Sequence, residues 1–177
     1  MSKYRVVTRS DLDGVVCASL LKEIELIDDI KFAHPKDLQD GTVEITDRDI
    51  ITNLPYDPRA YLVLDHHASE VERNNATRPE NLIVDPDAPS AAHVVYRHYG
   101  GAETFPNISL DLMAATNKID SAQLNKEEIL DPQGWILLGF IMDSRTGLGR
   151  FRDFRISNYQ LMMDLVDILR TTHKVED

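Results

Sequence analysis

The chain has 177 residues, 42% of them hydrophobic and 28% charged, and a formal net charge of −11 at pH 7. These values predict one soluble domain with a sizeable core and exclude a surface that attracts nucleic acid over its whole extent. A single cysteine, Cys17, excludes a disulfide framework, and no apolar run approaches the ~20 residues that span a bilayer. Together with an N-terminus that lacks a signal-peptide layout, this predicts a cytoplasmic protein without a membrane segment.

The first part of the chain predicts strands that alternate with a helix. Residues 4–8 are β-prone and run into an acidic turn, after which residues 15–27 carry a helical apolar stripe. Short strands are predicted at 30–33, 43–46 and 49–53, each near a turn signal that contains glycine or proline. Residues 61–64 predict a further strand.

The second part predicts more helix than strand. Residues 68–80 are polar and predict an irregular segment or one weak helix, and residues 82–84 predict a short strand. Ser90, Ser109 and Ser157 are typical N-caps for three helices, whereas the apolar residues 135–142 do not indicate one type of element. The alternation as a whole predicts an α/β fold with a mostly parallel sheet flanked by helices.

The strand at 61–64 ends abruptly in three polar side chains, Asp65, His66 and His67. Its apolar run is typical of a strand buried on both faces. Ligands of open α/β sheets bind beyond the carboxyl ends of the strands, so the three groups are placed where a metal or a catalytic group belongs. The alternative is a polar turn after a strand.

Asp11 and Asp13 lie one residue apart at the mouth of the first strand–helix turn. Two carboxylates that face one site are costly unless a cation neutralises them. Oxygen ligands combined with an imidazole suit manganese, with magnesium or zinc as alternatives. The competing interpretation is that these aspartates cap the helix and interact with its dipole.

Asp143 follows the apolar segment and precedes a short basic stretch in an otherwise acidic chain. This stretch contains Arg145 and Arg150, together with glycines at 147 and 149 that allow close backbone approach. Arginine holds phosphate oxygens in a forked geometry, so the stretch predicts a site for a phosphate-containing ligand. The alternative is a solvated basic loop.

Three motifs in this order, Ser10-Asp-Leu-Asp-Gly, Asp65-His-His and Asp143-Ser-Arg-Thr-Gly, resemble the DHH phosphoesterase superfamily. Its members include RecJ-like exonucleases, nano-RNA phosphatases, cyclic-dinucleotide phosphodiesterases, exopolyphosphatases and family II pyrophosphatases. The resemblance implies manganese-dependent hydrolysis of a nucleotide, a short oligonucleotide or polyphosphate. It implies that Asp13, His66 and Asp143 bind one ion, that Asp11 binds another, and that His67 contacts the scissile phosphate or assists proton transfer.

Two positions depart from that pattern. Arg9 stands where many relatives have histidine, and Asn53 is the best match to the aspartate that bridges the two ions. A guanidinium does not bind metals, so we predict at most one tightly bound ion and an Arg9–Asp11 ion pair in place of the second. Arg9, Asn53, Arg145 and Arg150 are then candidates for contacts with substrate. Ser90 resembles a serine region of the family, but the helix cap is the favoured role.

The length is a third departure, because relatives carry a second, smaller substrate-binding domain that is absent from residues 1–177. The chain is predicted to be a single DHH-type domain, whose last helix leads toward the missing lobe or forms a homodimer contact. Two functions are carried forward: a metal-dependent phosphohydrolase, and a catalytically weakened phosphate- or nucleotide-binding module of the same fold. An unrelated α/β interaction domain is disfavoured by the ordered motifs.

Overall fold

A parallel β-sheet forms the centre of the protein. The computed structural model describes residues 3–74, 77, 79–143 and 155–175. Five strands pair in the order β2-β1-β3-β4-β5, and all of the pairs are parallel. They are β1 (Tyr4–Thr8), β2 (Ile27–Phe32), β3 (Asp49–Thr52), β4 (Leu62–Asp65) and β5 (Leu82–Val84). The predicted α/β class with a parallel sheet is confirmed.

Helices connect and cover these strands. They are α1 (Leu12–Glu23), α2 (Pro35–Gln39), α3 (Ala68–Asn74), α4 (Ala91–His98), α5 (Leu110–Asp120), α6 (Lys126–Leu130), α7 (Gly134–Met142) and α8 (Asn158–Ile168), with a 3₁₀ turn at Gly101–Glu103. Within the described ranges, no helix is both long and apolar enough to cross a bilayer.

The sheet is buried on both faces, because neighbouring residues of its central strands join different clusters. Val6, Ile50 and Leu64 belong to the larger cluster, which includes residues of α1, α4, α5, α7 and α8. Their neighbours Val7, Ile51 and Val63 belong to a smaller cluster on the other face. This is the continuous hydrophobic pattern expected for parallel strands covered on both sides.

The three predicted serine caps are confirmed. The hydroxyl oxygen of Ser90 accepts a hydrogen bond from His93 N at 3.0 Å, and Ser157 accepts one from Gln160 N at 3.0 Å. Ser109 caps α5 in the same way, through Leu112 N at 3.3 Å. Each cap satisfies one of the backbone donors that the first turn of a helix leaves unpaired.

Several predicted boundaries are wrong. The first helix begins at Leu12 and ends at Glu23; Glu25 then adopts φ 56° and Ile27 already belongs to β2. Residues 43–46 form no strand, because Thr46 N donates to a side-chain oxygen of Asp49 at 2.7 Å instead of joining the sheet. The apolar segment before Asp143 is helical, and the short helices α2 and α6 were not predicted.

Gly14 allows α1 to start directly against the end of β1. A Cβ at this position would lie 2.0 Å from the carbonyl oxygen of Arg9 and 2.8 Å from the hydroxyl of Thr8. Because no side chain fits there, glycine is required for the close approach. This approach places Asp11 and Asp13 at the carboxyl edge of the sheet.

Candidate functional site

A cavity of about 540 Å³ opens at the carboxyl edge of the sheet. Six residues that the sequence analysis singled out line it: Arg9, Asp11, Asp13, His66, His67 and Asp143. The remaining wall comes largely from α5 and α7, including Thr116, Asp120 and Phe140. The structure therefore brings together residues that are up to 134 positions apart in the chain, from Arg9 to Asp143.

The cavity lies where the strand order reverses direction. The chain adds β2 on one side of β1 and then adds β3, β4 and β5 on the other. Ligands of open α/β sheets bind at such a switch point, beyond the carboxyl ends of the strands. Arg9 follows β1, Asn53 follows β3, and His66 follows β4.

Asp13 is buried and held in one orientation by α4. Only 3% of the residue is exposed, and its carboxylate accepts hydrogen bonds from Ala92 N at 2.7 Å and Ala91 N at 3.1 Å. Burial raises the pKa of Asp13 well above its ordinary value, and the charges of Asp120 and Asp11 raise it further. A bound cation would offset both effects.

His66 turns one ring nitrogen to the backbone and the other toward two carboxylates. Its Nδ1 lies 3.1 Å from the carbonyl oxygen of Ala88, which assigns a proton to Nδ1. Its Nε2 lies 2.8 Å from Asp120 Oδ2, yet this buried nitrogen has no aligned hydrogen-bond partner in the described part of the chain. Burial lowers the pKa of His66, but Asp120 and Asp13 outweigh that effect and raise it to about 9. A metal ion would take the place of the second proton.

Asp13, His66 and Asp120 form a group that could hold a metal ion. Each offers one ligand atom, and these atoms all lie within 4.8 Å of one another. Asp65, His66 and His67 form a second such group, but His67 Nδ1 already lies 2.8 Å from Asp65 Oδ1. The first group is the better candidate because its histidine nitrogen lacks a hydrogen-bond partner among the described residues.

The sequence analysis missed Asp120. This aspartate is the last residue of α5, where the helix dipole disfavours a negative charge. An acidic side chain at that position is a signal that could have identified it. Asp143 lines the same cavity but is not among the three atoms that lie together, so its role as a ligand stays a prediction.

Asp11 pairs with the two residues that depart from the family pattern. Arg9 Nε lies 3.0 Å from its Oδ2, and Asn53 Nδ2 donates to its Oδ1 at 3.3 Å. Gly14 N also donates to Oδ1, at 2.9 Å, so Asp11 is the N-cap of α1 as well. Burial raises the pKa of Asp11, while the charge of Arg9 opposes that shift. The structure contains the predicted Arg9–Asp11 ion pair.

His67 is oriented by Asp65. Asp65 is 1% exposed, whereas the side chain of His67 is 44% exposed and reaches the cavity. The hydrogen bond to Asp65 raises the pKa of His67, which favours the protonated ring. The arrangement can therefore present an N–H to an anion in the cavity.

A hydrogen bond between helices positions Asp120. Ser90 Oγ donates to Asn117 Oδ1 at 2.7 Å, and this bond links the N-terminus of α4 to α5. Asn117 precedes Asp120 by three residues, so both side chains lie on one face of α5. The contact joins the helix that ends in Asp120 to the helix whose backbone amides hold Asp13.

The predicted basic contacts at Arg145 and Arg150 lie outside the described residues.

Comparison with solved structures relates this chain to a known protein. No family model and no curated protein sequence matches the chain. The chain is similar to a pGpG-specific phosphodiesterase, PggH, from Vibrio cholerae, with 58% sequence identity and a TM-score of 0.86. The similarity covers 98% of this chain and 54% of the chain in that structure, so the present chain spans about half the length of its neighbour.

Proposed function

We propose that the chain carries the metal-binding part of a phosphodiesterase that hydrolyses a nucleotide or short oligonucleotide, in the manner of the DHH phosphoesterases. The observation that carries the proposal is the buried Nε2 of His66, which faces Asp120 and Asp13 without an aligned hydrogen bond. The similarity to PggH supports phosphodiester chemistry and makes a linear dinucleotide such as pGpG the first substrate to test.

Asp13, His66 and Asp120 would hold a divalent ion, with manganese favoured by the mixed oxygen and nitrogen donors. Such an ion activates water and neutralises charge on phosphoryl oxygens. The three side chains fit a divalent ion, because the Nδ1–H of His66 is fixed by the carbonyl oxygen of Ala88 and Nε2 is left as the ligand atom. Asp143 remains a proposed further ligand.

His67 would act on the substrate directly. Asp65 holds its Nδ1, so the opposite ring nitrogen is the one available to a phosphoryl oxygen or a leaving oxygen. A protonated His67 stabilises negative charge at that oxygen and can donate its proton to it. Arg145 and Arg150, which the sequence analysis singled out, would bind phosphate oxygens of the substrate.

The catalytically weakened binding module is the second candidate. The observation that favours it is the Arg9–Asp11 ion pair, which occupies one of the two aspartates of the acidic turn. In this case the protein would bind the same ligand without turning it over. That residues 1–177 form a single DHH-type domain, that the protein is a homodimer and that it is cytoplasmic also remain proposals.

A manganese-supplemented assay separates the two functions. The protein is incubated with pGpG, a chromogenic phosphodiester, short RNA and polyphosphate, and products are followed by chromatography. Hydrolysis that disappears in His66→Ala and persists in the exposed-surface variant His98→Ala supports the phosphodiesterase. Calorimetric binding of pGpG without products in any of the assays would support the binding module instead.

A further inference from the structure

The two aspartates of the acidic turn have different surroundings. Asp11 accepts hydrogen bonds from Gly14 N and Asn53 Nδ2, and its other oxygen lies 3.0 Å from the guanidinium of Arg9. A carboxylate has about four lone-pair positions, so these contacts leave Asp11 little capacity for a metal ion. Its negative charge is already matched by a cation.

Asp13 forms no ion pair with an arginine or lysine in the part of the chain that the structure describes. Its two hydrogen bonds come from backbone amides of α4, and its carboxylate lies close to His66 and to the like-charged carboxylate of Asp120. Two of its lone-pair positions stay available, and they belong to the group whose ligand atoms lie within 4.8 Å of one another. Asp13 is therefore available to a candidate ion, whereas Asp11 is paired with an arginine.

Arg9 has unused binding capacity that reaches the cavity. Its Nε is beside Asp11, and its two terminal nitrogens donate no hydrogen bond to another residue in the ranges that the structure describes. The side chain is 38% exposed and lines the same cavity as Asp13 and His66. An arginine fixed at Nε presents its outer nitrogens in a planar fork that suits phosphate oxygens.

Asn53 stabilises this arrangement from the next strand. It adopts φ 54°, a left-handed conformation that asparagine tolerates better than most residues, and it is 1% exposed. Its Nδ2 donates to Asp11, which a carboxylate at this position could not do. An aspartate at position 53 would instead add a negative charge beside Asp11 and favour a second cation.

We propose that the cavity holds a single divalent ion, bound through Asp13, His66 and Asp120, and that Arg9 supplies the second positive charge, which binds a phosphate oxygen of the substrate. This inference rests on the proposed function and adds the number of ions and the role of Arg9. A second ion placed beside Asp11 would be repelled by the guanidinium, so Arg9 and a second ion exclude each other there.

Metal stoichiometry tests the first half of the inference. Mn²⁺ is titrated into metal-free protein by calorimetry, bound metal is measured by elemental analysis, and electron paramagnetic resonance distinguishes isolated from coupled Mn²⁺. We expect one ion per chain with an isolated-ion spectrum in the wild type, and two ions with a coupled spectrum in Arg9→His/Asn53→Asp. Two ions in the wild type, or one in the double variant, would overturn the inference.

Phosphate affinity tests the second half. Inorganic phosphate is titrated into Mn²⁺-loaded wild-type protein, Arg9→Ala and Arg9→Lys. Loss of hydrogen bonds to a charged group predicts about 10- to 100-fold weaker phosphate binding in Arg9→Ala and a smaller loss in Arg9→Lys. Removing the positive charge should also strengthen Mn²⁺ binding. This opposite response would not follow from a purely structural role of Arg9.

Arg59 provides the matched control. It also pairs with an aspartate two residues away, because its Nε lies 2.9 Å from Asp57 Oδ1, and its side chain is 57% exposed. Arg59→Ala should change neither phosphate affinity nor metal stoichiometry. Unchanged phosphate affinity in Arg9→Ala would overturn the role of Arg9 while leaving the proposed function intact. A wild-type protein that binds no ion would instead contradict the proposed function itself.

Discussion

At the scale of single residues, Asp120 links the backbone geometry of α5 to the chemistry of the cavity. Its Oδ2 lies 2.8 Å from His66 Nε2, and its charge raises the pKa values of both His66 and Asp13. Without a cation, Asp13, His66 and Asp120 lie together in a largely buried space, where protons must offset the negative charges. With a divalent ion, each can act as a deprotonated ligand.

Replacing Asp120 with asparagine should remove most of the metal affinity, because the amide keeps the shape but loses the negative charge. Altering even an outer partner of a ligand costs about 10- to 100-fold in metal affinity, so we expect at least that loss here. Calorimetry with Mn²⁺ measures it. Asp111→Asn, an exposed change at the other end of the same helix, is the control. Equal Mn²⁺ affinity in Asp120→Asn and the wild type would remove Asp120 from the site.

Gly14→Ala should destabilise the fold, because its Cβ would meet the carbonyl oxygen of Arg9 at 2.0 Å and the backbone must shift. We expect a loss of about 3 kcal/mol in the free energy of unfolding, at the upper end of overpacking effects. Urea denaturation provides the measurement. Gly41→Ala has open space at φ +68° and should lose only about 1–2 kcal/mol from its backbone conformation. Similar losses in the two variants would contradict the steric argument.

At the scale of elements, α4 contributes to the site through its first turn and through its cap. Its backbone amides hold Asp13, and its N-cap Ser90 donates to Asn117 on α5. One serine therefore has two roles: it caps the first turn of α4 and it donates a hydrogen bond to the helix that ends in Asp120. Cap and site are coupled because both depend on the same hydroxyl group.

Ser90→Ala should therefore reduce both stability and metal affinity. Loss of the cap costs about 1 kcal/mol of unfolding free energy, and loss of the Asn117 contact should weaken Mn²⁺ binding about tenfold. Ser157→Ala removes an equivalent cap from α8, with a 3.0 Å bond to Gln160 N. We expect the same loss of stability from this control without a change in Mn²⁺ affinity. A metal affinity that falls equally in both variants would show a nonspecific effect of instability.

The segment that follows α7 carries a prediction made from sequence alone. Arg145→Ala with Arg150→Ala should weaken phosphate binding by about tenfold or more, because two charged donors are lost. Calorimetry on the Mn²⁺-loaded protein tests this. Arg59→Ala with Arg97→Ala removes the same charge from exposed ion pairs elsewhere and should have no effect. An unchanged affinity in the first pair would mean that the basic stretch is only a solvated surface.

At the scale of the whole molecule, the proposed ion connects three elements that are distant in sequence. Asp13 belongs to α1, His66 follows β4, and Asp120 ends α5. The chain also carries a formal net charge of −11, and the cavity has four aspartates against one arginine among the described residues that line it. A bound divalent cation would reduce this repulsion and join the three elements.

Mn²⁺ should therefore raise the melting temperature. At a free concentration of one hundred times Kd, binding stabilises the folded state by about 2.7 kcal/mol. For a chain of this size that corresponds to an increase of about 5–10 °C, reversed by a chelator. Differential scanning calorimetry measures the shift, and Asp120→Asn should abolish it. A wild-type melting temperature that is insensitive to both Mn²⁺ and chelator would contradict a metal site in the folded protein.

The sequence by itself determined the features that depend on neighbours along the chain. The parallel α/β class, the serine caps and the polar groups after β4 follow from hydrophobic periodicity and from short-range hydrogen bonding. The prediction from local patterns is wrong at residues 43–46, where the side chain of Asp49 accepts a hydrogen bond from the backbone N–H of Thr46. Local patterns also failed at the apolar segment of α7, whose lack of periodicity did not separate strand from helix.

Only the tertiary structure decided which polar groups act together. Asp120 meets His66 because α5 packs against the helices that cover the sheet, with one hydrogen bond to α4 between residues 27 positions apart, Ser90 and Asn117. Asp11 pairs with Arg9 and Asn53, whereas Asp13 faces the candidate ion, although the two aspartates are nearly equivalent in sequence. Such assignments depend on distances between elements, which the packing of helices on the sheet sets and which no local pattern contains.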